Sequence, residues 1–375
     1  MNIKVLDGLL RGLADLYVMI GHARWLLWED YSEGYLKHTL EYNWIDKMLM
    51  YFLSIFKFGH VSVLWFFVLS GFLIHIGYLK KFLTDSFQSV NLGQFYKKRI
   101  KRIYLLFLLA LCLNALLDFI GRDFGFSIYT GNTPNEGINV TVGNQSLTLV
   151  TFIGNIFFLF KEYVPIFGTN EPTWSLKLEW WFYMIYPIFL LLSRKNIYYF
   201  TLLIVVLFSI VNDNYFWTES LSKAIFSSII SLWAGVLLAE VYTKRIGIGL
   251  LNFAVINILW FFLLRFLPIY SDLYDYRIAL LLTALITFIL YFQSKNISFK
   301  RIQNFKFFGY FSYTLYIIHF PILVIISGIV LKFNQNQLPM HSFFDFLGLI
   351  VSLGITYLSH LLVELPFMKL KTSKE

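Results

Sequence analysis

The chain has 375 residues, 58% apolar, 20% aromatic and 14% charged, against about 25% charged in an ordinary soluble domain. With a mean hydropathy of +0.65, it has too little polar material for a disordered chain or for a soluble enzyme around one core. Its net charge of +9 points to nucleic acid only in a soluble protein. Here the basic residues sort into the connections between apolar runs, so no nucleic-acid partner is expected.

Apolar runs long enough to cross roughly 30 Å of hydrocarbon occur at 7–28, 61–79, 103–121, 174–192, 197–212, 223–242, 248–267, 276–293, 308–331 and 342–364. A shorter run at 147–160 has the length of a re-entrant or interfacial piece. The first run lacks a small-residue cleavage site and carries Arg11 and His22, so it is not expected to be a cleavable signal. The second connection holds Lys80, Lys81, Lys97, Lys98, Arg99, Lys101 and Arg102. Arg194 and Lys195, Lys244 and Arg245, then Lys295, Lys300, Arg301 and Lys306 follow, and Lys369, Lys371 and Lys374 lie after the last run. The positive-inside rule puts all of these in the cytoplasm. Alternation then works only if 147–160 does not cross. The expectation is an all-α polytopic bundle of about 10 transmembrane helices plus one re-entrant or interfacial segment, with both termini cytoplasmic.

No repeat or Pro/Ser-rich linker divides the sequence, so residues 1–375 read as a single domain. The lone cysteine, Cys112, forms no internal disulfide, and no metal site is expected. The longest outer connection, 29–60, follows Trp28 and holds Tyr31, Tyr35, Tyr42 and Trp44. Such aromatics anchor at headgroups or stack on sugar rings.

Ionisable groups inside a span are costly and functional by default. Arg11, Asp15 and His22 share one face of the first run: His22 lies about 20° and Asp15 about 40° from Arg11 around the helix. Arg11 and His22 are about 16 Å apart along it. Counting inward from the span ends puts Arg11 near the cytoplasmic mouth, His22 in the outer half, Glu179 in the outer third, Ser70 and His319 near mid-depth. Arg99, Arg102 and Glu364 fall at the inner boundary. A cationic inner mouth suits phosphate, and a buried neutral histidine suits proton abstraction.

These residues sit in motifs that resemble the acyltransferase 3 family of integral membrane O-acyltransferases of cell-surface glycans. The motifs are RGLADLYVMIGH (Arg11–His22), FFVLSGFLI (66–74), KKRIKRIY (97–104), WSLKLEWWFYMIYP (174–187), YTLYIIHFP (313–321) and VELP (363–366). Several positions depart from the family pattern: an extra leucine before Arg11, Asp15 where a small residue is common, Leu64 before the FF pair, and Leu105 in place of a proline. His75 has no counterpart and reads as structural. The soluble SGNH-type domain of some members is not expected.

The resemblance implies an acyl-CoA co-substrate, acetyl-CoA first, with no permanently bound cofactor. Arg11, Arg99 and Arg102 would hold its phosphates while the thioester reaches toward His22, the base that deprotonates an acceptor hydroxyl. Glu179 would orient His22, Ser70 or Tyr183 would serve the oxyanion, and His319 and Glu364 would support the site. The implied acceptor is a surface glycan (O-antigen, capsule or exopolysaccharide) or a lipid-linked sugar at the outer face of the cell membrane. Two alternatives remain open: transfer of succinyl or another short acyl group to glucan, peptidoglycan or a small molecule, and a transporter or flippase. Transporters often carry two related halves, and no internal repeat is visible here.

Overall fold

A backbone crossing hydrocarbon finds no water for its N–H and C=O groups, so an apolar run must close its hydrogen bonds within itself. The computed structural model describes residues 3–29, 31–84, 92–159, 163–193, 196–212, 221–266, 274–295 and 306–366, and among these it is helical with no strand. Arg194, Lys195, Lys300, Arg301, Lys369, Lys371 and Lys374, used above for topology, lie outside the described residues.

The helices are α1 (Ile3–Leu27), α2 (Trp44–Leu53), α3 (Gly59–Thr84), α4 (Leu92–Asp123), α5 (Ser127–Thr130), α6 (Glu136–Val142), α7 (Leu149–Ile156) and α8 (Thr173–Ser193). They continue with α9 (Ile197–Asn212), α10 (Leu221–Tyr242), α11 (Leu250–Leu263), α12 (Tyr274–Ser294), α13 (Lys306–Tyr310), α14 (Ser312–Phe333) and α15 (Phe343–Ser359). A π-helical turn, His360–Glu364, extends α15.

Among the described residues, five segments are both long and apolar enough to cross a membrane: Gly59–Leu79, Leu92–Asp123, Tyr274–Ser294, Ser312–Phe333 and Phe343–Glu364. Ile197–Leu207, Ser228–Tyr242 and Leu250–Phe266 are apolar but shorter. The run at 147–160 folds around α7, which has eight residues and rises about 12 Å, too little to cross.

The chain gathers into two compact units whose segments interleave: 1–11, 60–99 and 177–306 form one, and 12–59, 100–176 and 307–375 the other. In the first unit, α3 and α10 cross at backbone contact. A Cβ on Gly71 would lie 1.8 Å from the Leu232 carbonyl oxygen, and one on Gly235 would lie 2.0 Å from that of Val68. Small residues at both positions are what permit that crossing. Val68, Phe72, Ile76, Leu238, Ala239, Ile286 and Leu290 fill the adjoining core.

In the second unit, α14 is the central helix, packed against α15 and α5. Leu315, Phe320 and Leu323 bury against Met19, Ala23, Leu26 and Leu27 of α1. Ser327 Oγ donates to the Leu26 carbonyl at 2.6 Å, and Trp28 Nε1 donates to that of Met340 at 2.9 Å. These bonds pin the C-terminal end of α1. On the following connection, Asn43 caps α2 by accepting from the Asp46 N–H at 2.8 Å.

Candidate active site

In the first unit four helices bring polar side chains into one line. Arg11 Nη2 donates to Ser70 Oγ at 3.0 Å, and Ser70 Oγ donates to Glu179 Oε1 at 2.7 Å. Tyr183, one turn beyond Glu179 on α8, donates its hydroxyl proton to the same carboxylate oxygen. The directions follow from chemistry: a guanidinium only donates and a carboxylate only accepts, so the single Ser70 proton must point to Glu179. The Arg99 guanidinium lies 4.8 Å from the Phe95 ring centroid and 5.4 Å from that of Tyr183.

Two guanidiniums thus accompany one carboxylate, an arrangement with cationic excess and planar forks suited to phosphate. The side chain of Arg102 lies outside the described residues. Arg11 and Glu179 were placed toward opposite faces, yet one serine hydroxyl joins them.

The SGF segment serves two purposes in adjacent residues, with Gly71 giving the close crossing and Ser70 the relay. His75, read as structural, is buried between Tyr186, whose hydroxyl is 2.8 Å from Nδ1, and Glu240, whose Oε1 is 2.7 Å from Nε2. Arg245 Nε completes that network at 2.9 Å from Glu240 Oε2.

In the second unit His22 Nδ1 lies 2.9 Å from His319 Nε2, and the rings stack at 9° with centroids 5.2 Å apart. His319 Nδ1 lies 2.8 Å from the Leu315 carbonyl, which can only accept, so His319 carries its proton on Nδ1. As a neutral ring it then accepts at Nε2, and His22 must donate from Nδ1. The remaining nitrogen of His22, Nε2, keeps its lone pair. The partner that orients His22 is therefore a second imidazole, where the sequence pointed to the Glu179 carboxylate.

The backbone around His319 is set by Pro321. Proline lacks an N–H, so the carbonyl four residues earlier, at Ile317, has no helical donor. Buried Asn170 supplies one from Nδ2 at 2.8 Å. Tyr316, beside it, shares a 2.6 Å hydrogen bond with Ser175. The loop leading into α8 and the first turn of α8 thus brace α14 just before His319. Sequence reasoning missed Asn170; the signal available was the carbonyl that Pro321 must leave open.

Asp118 braces the same loop from α4, accepting from Thr169 N–H and Oγ1 at 2.7 Å each. Glu364 accepts from Thr314 Oγ1 at 2.5 Å and lies 2.6 Å from His360 Nδ1, so in the described structure it ties the end of α15 to α14. Asp15, on α1, is buried.

A family model described as an acyltransferase domain, acyltransferase 3, matches residues 6–361, nearly the whole chain. The chain belongs to the acyltransferase 3 family. Among curated relatives it is similar to the O-acetyltransferase OatA of Staphylococcus aureus, 25% identical over 348 residues, covering 83% of this chain and 53% of the relative. It is also similar to the peptidoglycan O-acetyltransferase OatA of Listeria monocytogenes, 26% identical over 314 residues, 75% of this chain and 47% of the relative. A Haemophilus influenzae protein is 33% identical over 135 residues, 35% of this chain and 49% of the relative. The chain therefore spans about half the length of the OatA proteins it matches. No solved structure matches it. Membership in the acyltransferase 3 family and the five apolar spans make this an integral membrane protein.

Proposed function

We propose that the protein is a membrane O-acyltransferase that moves an acetyl group from acetyl-CoA to a hydroxyl of a cell-surface glycan. The observation that carries this reading is the polarity of the histidine pair: His319 fixes His22 with a free lone pair on Nε2, the state a general base requires. His22 Nε2 takes the proton of the acceptor hydroxyl as its oxygen attacks the thioester carbonyl. Collapse of the tetrahedral intermediate breaks the C–S bond, and the departing thiolate takes the proton back from the imidazolium. His319 Nε2 keeps accepting from His22 Nδ1 while the ring is charged, so the developing cation needs no rearrangement.

Arg11 and Arg99, with Arg102 beside them in sequence, hold the donor's phosphates, and Glu179 acts through Ser70 to set the direction of the Arg11 fork. Orientation follows the charge pattern: about ten crossings, both termini in the cytoplasm, and the connection at 29–60 outside the cell membrane. Peptidoglycan, the polymer in the name of the Listeria relative, is the first acceptor to test, ahead of other surface polysaccharides.

The test is a comparison of ester-linked acyl groups on envelope glycans from cells with the gene, without it, and carrying only the His22→Ala variant. Acetyl esters present in the first and absent from the other two support the proposal. Equal ester content in all three refutes it.

A further inference from the structure

The connection after α1 contains an aromatic box that the acyl-transfer residues do not use. Tyr31 and Tyr35 lie 5.5 Å apart by ring centroids, and Tyr51 of α2 meets them edge-on at 5.9 and 5.8 Å. Tyr42 closes the back of Tyr35 at 5.0 Å and donates to Glu29 Oε2 at 2.7 Å.

Interfacial anchors use the apolar body of one ring and leave its polar tip at the headgroups. Here the rings of Tyr31, Tyr35 and Tyr51 pack on one another, and Tyr42 behind them holds the Glu29 carboxylate. Tyr35 and Tyr42 are buried as backing, whereas Tyr51 is 55% exposed and Trp44 is 70% exposed. Trp44 precedes Tyr51 by seven residues, which puts it about 20° away around α2 and about 10 Å along it. In sequence the box follows the first helix, which ends at Leu27, and the Glu29 N–H bonds to the Pro339 carbonyl.

We infer that Tyr31, Tyr51 and Trp44, with the Glu29 carboxylate, form a saccharide-binding subsite that holds pyranose rings of the acceptor chain. A pyranose presents a C–H face that packs on an aromatic ring and a rim of hydroxyls that bond to carboxylates and phenols. A row of two exposed rings about 10 Å apart, on a cluster that also holds the Glu29 carboxylate through Tyr42, offers both kinds of contact to a chain of sugars. The assignment to the acceptor rests on the transferase reading and on the outer placement of 29–60.

The experiment uses the full chain in lipid nanodiscs, with chitotetraose and maltotetraose as probes and tryptophan fluorescence as the readout. The wild type should bind at least one probe. Tyr51→Ala and Trp44→Ala should each weaken binding about tenfold, one ring contact at about 1.4 kcal/mol, while Tyr51→Trp keeps it. Thermal stabilisation by acetyl-CoA should be the same in all variants. Binding of neither probe, or equal binding by wild type and both alanine variants, overturns the subsite. If the substitutions alter only membrane partition, the rings are anchors and the subsite is likewise overturned. Acetyl-CoA stabilisation reads the transferase proposal separately. Its absence in the wild type sinks that proposal, whereas its presence without saccharide binding sinks the subsite alone.

Discussion

Replacing His319 by phenylalanine keeps a flat ring of similar size against Phe320 and Tyr316 while deleting the acceptor for His22 Nδ1. In the wild type that bond is 2.9 Å long, and His319 itself is anchored by the 2.8 Å bond to the Leu315 carbonyl. Leaving a buried donor without an acceptor costs about 1–3 kcal/mol. The loss is largest once His22 is an imidazolium with both nitrogens protonated, so it raises the barrier more than it weakens substrate binding. At about 1.4 kcal/mol per decade the expected fall in kcat is about 5- to 150-fold, with KM for acyl-CoA nearly unchanged. His319→Gln, whose amide oxygen can reach toward His22 Nδ1, should recover part of that loss. The assay is steady-state acyl transfer by purified protein in nanodiscs, with thermal unfolding followed in parallel. A phenylalanine variant that folds and turns over at the wild-type rate would refute the tautomer argument.

Arg11→Lys keeps the charge but loses the planar fork, so KM for acyl-CoA should rise about tenfold with a smaller change in kcat; initial rates against donor concentration check this. Asn170→Leu leaves the Ile317 carbonyl without its donor and should cost about 1–3 kcal/mol, read as a lower Tm. Gly71→Ala places a methyl 1.8 Å from the Leu232 carbonyl oxygen and should destabilise the first unit by about 1–3 kcal/mol or more, seen as lower Tm and membrane accumulation. Asp46 supplies a pH dependence outside the spanning segments. Burial pushes its carboxyl up, but the hydrogen bonds from Ser342, His341 and Asn43 outweigh that and hold it below its usual 3.8. Its stabilisation is therefore complete above that value and lost as pH falls below it. Asp46→Asn should lower Tm at neutral pH and flatten the decline between wild-type Tm values measured at and below pH 4.

The elements were largely legible in the sequence because hydrocarbon enforces them. Each apolar run overlaps a helix, 308–331 being divided between α13 and α14, and five of the segments are long and apolar enough to cross among the described residues; the shorter run at 147–160 holds only an eight-residue helix. The motifs also pointed to Arg11, Ser70, Glu179 and His319 as polar residues worth singling out. Their partners were less legible. A helix pattern gives the face a residue occupies, but not how that helix is rotated against a neighbour distant in sequence. Glu179 was accordingly assigned to His22, while the structure gives it Ser70 and Tyr183. His75 looked isolated because Glu240 lies 165 residues away in sequence. Asn170 was invisible for a different reason: it answers a defect in another helix, the open carbonyl before Pro321, and has no local pattern of its own.

The central claim is that the His22 imidazole removes the acceptor's proton. It is tested most directly with purified wild type and His22→Ala in nanodiscs, supplied with labelled acetyl-CoA and a peptidoglycan fragment, with ester-linked label measured on the saccharide. The account predicts label on the saccharide with the wild type. With the variant it predicts none, together with thermal stabilisation by acetyl-CoA that matches the wild type. Ester formed at the wild-type rate by His22→Ala would contradict it.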